Sequence, residues 1–337
     1  MMDIFKLTLN QMLMMFTLIA MGLILRKAAV FNPHAGNIMA RMETYIFVPA
    51  LNLYNYMTKC TVKTFTQNAN FLLYGLALAV IAVGISYTLA PLLVRKKSGS
   101  AEEDYLRNIY RYVMTFGNFG FMGNFIVLGV WGADVFYQYS LFSLPFNILC
   151  NSWGLHVLIP KDRNVNRWEN IKKGLLAPPI IASVVGITLG LIGVGSYIPT
   201  FIINALENNG NCQGPIAMVL AGFVVGSYRL RDLLKNGKVY IATLLRLIII
   251  PSAIIFALNA LGVSELIQIF ALIVFATPLE LNTIVYPAAY GDDTKTGTSM
   301  VMISYVLSVI TIPLMYLILI VFSCHTTKIV LQYLIRR

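Results

Sequence analysis

Long apolar blocks without charge are the feature of this sequence that most restricts its fold. Residues 71–94 contain no Asp, Glu, Lys or Arg and are followed at once by Arg95, Lys96 and Lys97. A helix of about 20 apolar residues spans the hydrocarbon core of a bilayer. Hydrophobic residues make up 58% of the chain and charged residues only 12%, which is about half the charge of a soluble domain. The sequence therefore predicts an all-α integral membrane protein.

Similar blocks recur along the whole chain and predict ten transmembrane helices, spans 1 to 10. They are residues 7–25, 38–56, 71–94, 105–131, 135–159, 179–194, 199–228, 239–261, 266–290 and 298–322. A hydrophilic stretch follows span 5. It divides the chain into a first five-helix repeat (1–159), a cytoplasmic connecting loop (160–178) and a second five-helix repeat (179–337). Because each half has an odd number of spans, the two repeats are inverted relative to each other.

The basic residues indicate how these spans are oriented. If the loop after span 1 is cytoplasmic, 18 of the 25 Lys and Arg residues lie on the cytoplasmic side and 6 outside, with Arg246 inside span 8. Basic residues collect in cytoplasmic loops. We therefore predict a multi-pass protein of the cell membrane with both termini outside. The same bias explains the net charge of +11, so no nucleic-acid partner is expected.

Two spans at corresponding positions of the repeats contain residues that interrupt helices. Span 4 contains FGNFGFMGN (116–124), and span 9 contains ATPLELNTIVYP (276–287). Glycine lowers helix stability, and proline removes a hydrogen-bond donor. Interrupted helices at matching positions of inverted repeats indicate a transporter's binding site. The alternative is that these are close-packing glycines and simple kinks.

Polar side chains accompany both breaks. Asn118 and Asn124 lie in the first break, and Glu280 and Asn282 lie in the second. The N-terminal ends of half-helices attract anions, and a carboxylate inside a membrane indicates function by default. Glu280 is therefore a candidate ion-coupling residue, and the alternative is a structural pair with Arg246 or another buried donor.

At these residues the chain resembles the auxin efflux carrier family. Four elements carry the resemblance, in order along nearly the whole chain: Gly117, Asn118, Gly120, Phe121, Met122 and Gly123; Pro215, Ala217, Met218 and Gly222; Pro278, Asn282, Tyr290, Gly291 and Asp292; and Ser304, Ser308, Thr311 and Pro313. The resemblance implies a secondary transporter or facilitator that moves a small carboxylate-type organic anion by an alternating-access, elevator mechanism.

The resemblance also implies an architecture. Spans 1, 2, 6 and 7 would form a scaffold, often homodimeric, and spans 3–5 and 8–10 a transport domain in which the broken spans 4 and 9 cross. Asn118 and Asn282 would meet the substrate at this crossover. The chain departs from the family at Asn124 and Phe125, where many members have an apolar residue and then proline. It also departs at Glu280, where relatives carry a small or neutral residue. An added carboxylate is compatible with an anionic solute if it binds a proton or sodium ion.

The candidate substrate-binding residues are Asn118, Asn282, Gly117, Gly120, Asn124, Pro278 and Asn52. Asn52 shares a helical face with Asn55, where the two line the solute path or form interhelical hydrogen bonds. Arg41 and Glu43 are expected to pair near the cytoplasmic end of span 2.

Other chemistry is not expected. The four cysteines form no CxxC pair and the three histidines are solitary, so we predict no metal site and no cofactor. The chain has no HExxH, GxSxG or Walker-type glycine loop, so neither enzymatic activity nor ATP-driven transport is expected. The alternative to a transporter is a membrane solute sensor or receptor that uses a transporter-like fold.

Overall fold

The computed structural model describes residues 2–94, 100–159, 167–228, 237–284 and 294–322. All regular elements in these ranges are helices. They are α1 Met2–Lys27, α2 35–59, α3 Val62–Leu93, α4 Ala101–Thr115, α5 119–131, α6 133–157, α7 Arg167–Leu175, α8 Pro178–Leu191, α9 Thr200–Val225, α10 Gly237–Ala260, α11 Glu265–Ala276 and α12 Lys295–Met315, which continues as a π-helix over Tyr316–Phe322. A short 3₁₀ helix, Val194–Tyr197, lies between α8 and α9.

A helix lies at the position of each predicted span, and the described part of the protein is all-helical as predicted. Within these ranges, five helical stretches are long and apolar enough to cross a membrane: Lys6–Lys27, Val62–Leu93, Phe119–Val157, Gly237–Ala260 and Lys295–Leu319. The stretch Phe119–Val157 contains α5 and α6, which meet at Gly132, where φ is 80° and ψ is −177°. Only glycine adopts this conformation readily. Helices α8 and α11 are apolar but shorter.

Local sequence signals explain where several helices begin. Thr61 and Thr64 form a reciprocal capping box at the start of α3. The Ser100 hydroxyl accepts a hydrogen bond from the Glu103 N–H at 3.2 Å at the start of α4. Acidic residues in the first turn of α4 also favour its positive N-terminal end. α8 begins with two prolines, which are tolerated in a first turn because the N–H groups there have no helical partner.

Small residues allow the helices to pack closely. A β-carbon at Gly22 of α1 would lie 2.0 Å from the Val219 carbonyl oxygen of α9. A β-carbon at Gly190 of α8 would lie 2.5 Å from the Cys60 carbonyl oxygen after α2. Close backbone contact of this kind is typical of helix packing in membranes, where dispersion forces replace the hydrophobic effect. Helices α1, α2, α8 and α9 are therefore joined by contacts that larger residues would prevent.

Five helices of the described ranges contain π-helical turns, which the sequence did not predict. They are Glu43–Phe47 in α2, Phe119–Gly123 in α5, Cys150–Gly154 in α6, Leu245–Ile249 in α10 and Tyr316–Phe322 at the end of α12. Such turns contain an extra residue and occur often at functional sites. Here they place Glu43, Cys150 and Arg246 in the protein interior.

The connecting segment differs from the predicted loop, because α7 (Arg167–Leu175) lies within it. Glu169 and Lys173, one turn apart, form an ion pair at 2.9 Å that supports this helix. Some predicted features lie outside the described residues: the 160–166 part of the loop, Pro287, the motif Tyr290, Gly291 and Asp292, and residues 323–337.

Candidate functional site

The two predicted breaks interrupt their helices and contact each other. Residues 116–118 separate α4 from α5, and residues 277–281 follow α11 without helical geometry. Within these segments Gly117 and Leu279 form an isolated antiparallel β-bridge. The two interruptions, far apart in sequence, therefore form one junction.

Hydrogen bonds at this junction replace those that the helices lose. The Asn118 N–H donates to the Pro278 carbonyl oxygen at 2.7 Å. The Leu279 N–H donates to Oγ of Ser304 in α12 at 2.9 Å. Broken helices persist in a membrane only where protein, water or ligand satisfies the backbone in this way. Pro278 thus contributes its carbonyl group to the junction.

The two candidate glycines of the first break have different surroundings. A β-carbon at Gly117 would lie 2.8 Å from both the carbonyl oxygen and Oγ1 of Thr277, and 3.0 Å from Nη2 of Arg246. A β-carbon at Gly120 would have Oδ1 of Asn147 as its nearest neighbour, at 3.7 Å. The close approach of the breaks therefore requires glycine at position 117 and not at position 120.

Asn118 lies at the start of α5 and is only 1% exposed. Its amide nitrogen donates to the hydroxyl of Tyr305 in α12. Its Oδ1 atom is buried and has no hydrogen-bond partner among the described residues. A buried polar atom without a partner is costly. The Oδ1 atom of Asn118 is therefore an acceptor at the junction that is free to accept a hydrogen bond.

Glu280 lies in a cluster with Asn282, Tyr112 of α4 and Cys150 of α6, which we call the carboxylate cluster. The Tyr112 hydroxyl donates to Oε2 of Glu280 at 2.5 Å, and the Cys150 thiol lies 3.5 Å from the same oxygen. The Asn282 amide donates to Oε1 of Glu280 and to the Tyr112 hydroxyl, each at 2.9 Å. The sequence-predicted residues Glu280 and Asn282 are therefore in direct contact, and both amide hydrogens of Asn282 are used.

Arg246 forms no direct hydrogen bond or ion pair with Glu280, although their charges interact at longer range. Its Nη2 atom donates to the Val274 carbonyl oxygen at 2.9 Å, in the last turn of α11. Its guanidinium also lies 5.2 Å from the centre of the Phe275 ring. A cation at a helix C-terminus interacts favourably with the helix dipole. Arg246 is fully buried, and its Nε and Nη1 atoms have no partner in the described part of the protein.

Two other candidates lie away from the junction. The Asn52 amide donates to the Pro179 carbonyl oxygen at 3.1 Å and to Oγ of Ser183 at 3.0 Å. It therefore joins α2 to α8, which is the interhelical alternative considered for it. Asn124, one turn beyond the first break, lines a cavity between α2, α5 and α9.

The prediction that Glu43 pairs with Arg41 is wrong. Glu43 is fully buried, and neither of its carboxylate oxygens has a hydrogen-bond partner among the described residues. Arg41 is exposed. The two residues point in different directions because residues two apart lie about 200° around a helix. Glu43 shares with Gly36 and Phe47 the face that packs on α9.

Two cavities lie between α2, α9 and the breaks. The larger has a volume of about 460 Å³, and its lining includes Thr44, Leu220 and Leu281. The smaller has a volume of about 210 Å³, and its lining includes Leu51 and Gly214. Along both α2 and α9 the two linings are separated by six to seven residues, which is about 10 Å of helix.

Sequence reasoning missed three side chains that bond to the candidate residues: Tyr112, Cys150 and Tyr305. Tyr112 lies one turn before the first break, and Tyr305 follows Ser304, which belongs to the family resemblance. The positions of Tyr112 and Tyr305 in the sequence therefore indicate that both lie near the candidate residues. Cys150 forms no CxxC pair, and no sequence signal connects it to Glu280.

The helical fold, its long apolar helices and the junction of two broken helices define a multi-pass membrane protein of the transporter class. Over residues 7–316 the chain matches the family described as membrane transport protein. It therefore belongs to this family, which includes the auxin efflux carriers, and the predicted family is confirmed. No curated protein matches the chain.

Proposed function

We propose that this membrane transporter is a secondary carrier that moves a small organic anion by alternating access, and that it binds this solute where the two breaks meet. The observation that carries the proposal is the bridge between Gly117 and Leu279. It brings Asn118 and Asn282, each at the start of a helical segment, to a single junction. The proposal assigns transport, and no catalytic step, to this site.

The chemistry of the junction suits a carboxylate. The first N–H groups of α5 have no partner within the helix and carry the positive end of its dipole. The Asn118 amide nitrogen donates to Tyr305 and has a second hydrogen that can be donated to a carboxylate, and the Asn282 amide is a second donor group of the junction. Arg246 adds a buried positive charge next to Gly117. A small anion is the solute class that these groups favour.

The two cavities support alternating access. One lies on each side of the junction along α2 and α9, so a shift of the broken helices relative to α2 and α9 would connect the site to one cavity or the other. We propose that α1, α2, α8 and α9 form the scaffold, and that α3–α6 and α10–α12 form the transport domain. The chain would then have ten spans in two inverted repeats, and spans 4 and 9 would cross.

We further propose that Glu280 couples transport to a proton or a sodium ion. A negatively charged Glu280 accepts a hydrogen bond from the Asn282 amide at 2.9 Å. A proton on Glu280 weakens this acceptor and releases the amide to a solute carboxylate. It also removes the repulsion between two negative groups. A sodium ion at the same oxygens would act similarly, and either ion would therefore favour binding of the anion.

The Glu280→Gln variant tests this coupling in proteoliposomes, with Glu102→Gln in the exposed first turn of α4 as a matched control. We expect Glu280→Gln to fold and to take up solute without responding to a pH or sodium gradient. If the folded Gln variant keeps the wild-type gradient dependence, Glu280 is not the coupling residue. Misfolding of this variant alone would instead favour a buried structural charge.

Uptake into vesicles separates the carrier from a sensor. Purified protein reconstituted into liposomes is incubated with labelled carboxylic acids, with and without a pH or sodium gradient. A carrier accumulates at least one of these solutes above the level of empty liposomes. A sensor shows a thermal shift with a carboxylate but no uptake, and that result would replace the proposal.

The membrane topology and the oligomeric state also belong to this proposal. We propose that both termini lie outside the cell and the connecting segment inside, which labelling of single cysteines at Ser98 or Asn166 in intact cells tests. Labelling of either from outside would reverse the topology. We also propose a homodimer formed through the scaffold, and a monomeric mass by light scattering in detergent would exclude it.

A further inference from the structure

The larger cavity has a charged wall that the proposed site does not use. Its volume of about 460 Å³ is enclosed by the start of α2, the C-terminal end of α9 and the residues that follow the second break. Among the described residues that line it, Arg41 is the one with a charge. Leu281 and Ile284, on either side of Asn282 and Thr283, form the opposite wall. The cavity therefore reaches from Arg41 to the second break.

No residue that the structure describes neutralises the charge of Arg41. Arg41 is exposed and has no hydrogen bond or ion pair with any residue that the structure describes. Glu43 is buried with neither of its oxygens bonded to a partner. The other acidic residue on the helices packed against this turn, Glu207 of α9, contacts Tyr54, three turns from Arg41.

The rest of the cavity wall combines apolar and polar groups. Thr44 lies one turn from Arg41, and Asn37 and Tyr228 also contribute polar side chains. A free guanidinium in a cleft with low-dielectric walls raises the local concentration of anions. Its planar fork also matches the two oxygens of a carboxylate.

We propose that this cavity is the entry vestibule for the anionic solute, in which Arg41 binds the carboxylate before it reaches the second break. This inference rests on the proposed function, because it concerns the same solute and the same path. It adds a binding subsite on α2, and it assigns anion selection to Arg41 as well as to the asparagines.

The charge of the vestibule is measured without a known substrate by labelling a cysteine placed in it. The Thr44→Cys substitution introduces a thiol one turn from Arg41. The background replaces by serine the exposed Cys212 and also Cys324, which lies outside the described residues. The rates of reaction with an anionic sulfonatoethyl methanethiosulfonate and with a cationic trimethylammonioethyl methanethiosulfonate are then compared. Their ratio reports the local potential.

The ratio of anionic to cationic labelling should fall about tenfold with Arg41→Gln. Side chains one helical turn apart are about 6 Å from each other, and at that distance one charge acts with opposite sign on the two reagents. Arg41→Lys should preserve most of the ratio. Lys172→Gln, which removes an exposed basic residue of α7, should leave it unchanged. Arg41 and Lys172 are both exposed, so all three variants should have the melting temperature of the wild type.

The outcomes separate this inference from the function on which it rests. An unchanged ratio in Arg41→Gln overturns the vestibule, even if wild-type vesicles accumulate a carboxylate. If the ratio falls tenfold but the wild type takes up no carboxylate, the proposal that the protein is a carrier fails, and the proposal that the cavity binds anions stands. If uptake occurs, Arg41→Gln should also raise KM about tenfold with little change in kcat, and an unchanged KM would place Arg41 off the path.

Discussion

Substitution of Gly117 by alanine tests the junction of the two breaks, with Gly120→Ala as a matched control three residues away. The added methyl group at position 117 would lie 2.8 Å from the Thr277 carbonyl oxygen, well inside the optimal separation of about 3.5 Å. Backbone atoms on both sides would have to move apart. Overpacking of this kind costs about 1–3 kcal/mol.

The same movement weakens the hydrogen bond from the Asn118 N–H to the Pro278 carbonyl oxygen, which adds about 1 kcal/mol. We therefore expect Gly117→Ala to lose about 2–4 kcal/mol of unfolding free energy. Gly120→Ala has ordinary contacts and lies in a helical turn, where alanine is favoured over glycine by up to about 1 kcal/mol.

Thermal unfolding in detergent compares the two variants under one protocol. Gly117→Ala should melt about 4 °C or more below the wild type, and Gly120→Ala should melt at or above it. The comparison between the variants matters more than either value, because unfolding of a membrane protein can be irreversible. A Gly120→Ala protein that is less stable than Gly117→Ala would refute the reasoning.

Three further substitutions test individual contacts by the same melting assay. Glu43→Gln should keep or raise the melting temperature, because the carboxylate has no partner to lose, whereas a loss of about 3–5 kcal/mol would reveal a buried pair. Arg246→Met should cost about 1–3 kcal/mol by leaving the buried Val274 carbonyl without its donor, and a more stable variant would show that the unpartnered nitrogens dominate. Asn52→Ala should lower stability by about 1–2 kcal/mol, because two hydrogen bonds to α8 are lost, and it should leave solute affinity unchanged. Weaker solute binding without lower stability would show that Asn52 binds the solute.

The positions of the breaks were predictable from the sequence because glycine and proline act on their own backbone. Gly117 and Pro278 lie where helical geometry stops, and a helix lies at the position of every predicted span. The apolar blocks also specified a membrane protein, since no soluble fold buries so much apolar length. The ten-span topology and the residues that bind solute stay predictions.

Side-chain partners were not predictable because they depend on how helices pack. The sequence predicts that Glu280 faces the solute or pairs with Arg246 or another buried donor, but it does not identify the donors that contact Glu280, which are Tyr112 of α4 and Cys150 of α6. Arg41 and Glu43 are two residues apart, about 200° around a helix, so they face different sides, and the π-turn that begins at Glu43 shifts the residues that follow it. A one-residue insertion of this kind rotates every later side chain by about 100°, and sequence patterns do not reveal it.

Solute affinity in asparagine variants tests the central claim, that the junction of the two breaks binds a carboxylate solute. The affinity of the carboxylate that wild-type vesicles take up best is measured in Asn118→Ala and Asn282→Ala, with Asn209→Ala on the exposed surface of α9 as the control. We predict that both junction variants bind about 5- to 150-fold more weakly, corresponding to about 1–3 kcal/mol of lost hydrogen bonding, while the control binds as the wild type does. Wild-type affinity in both folded junction variants would contradict the account and move the solute site away from the breaks.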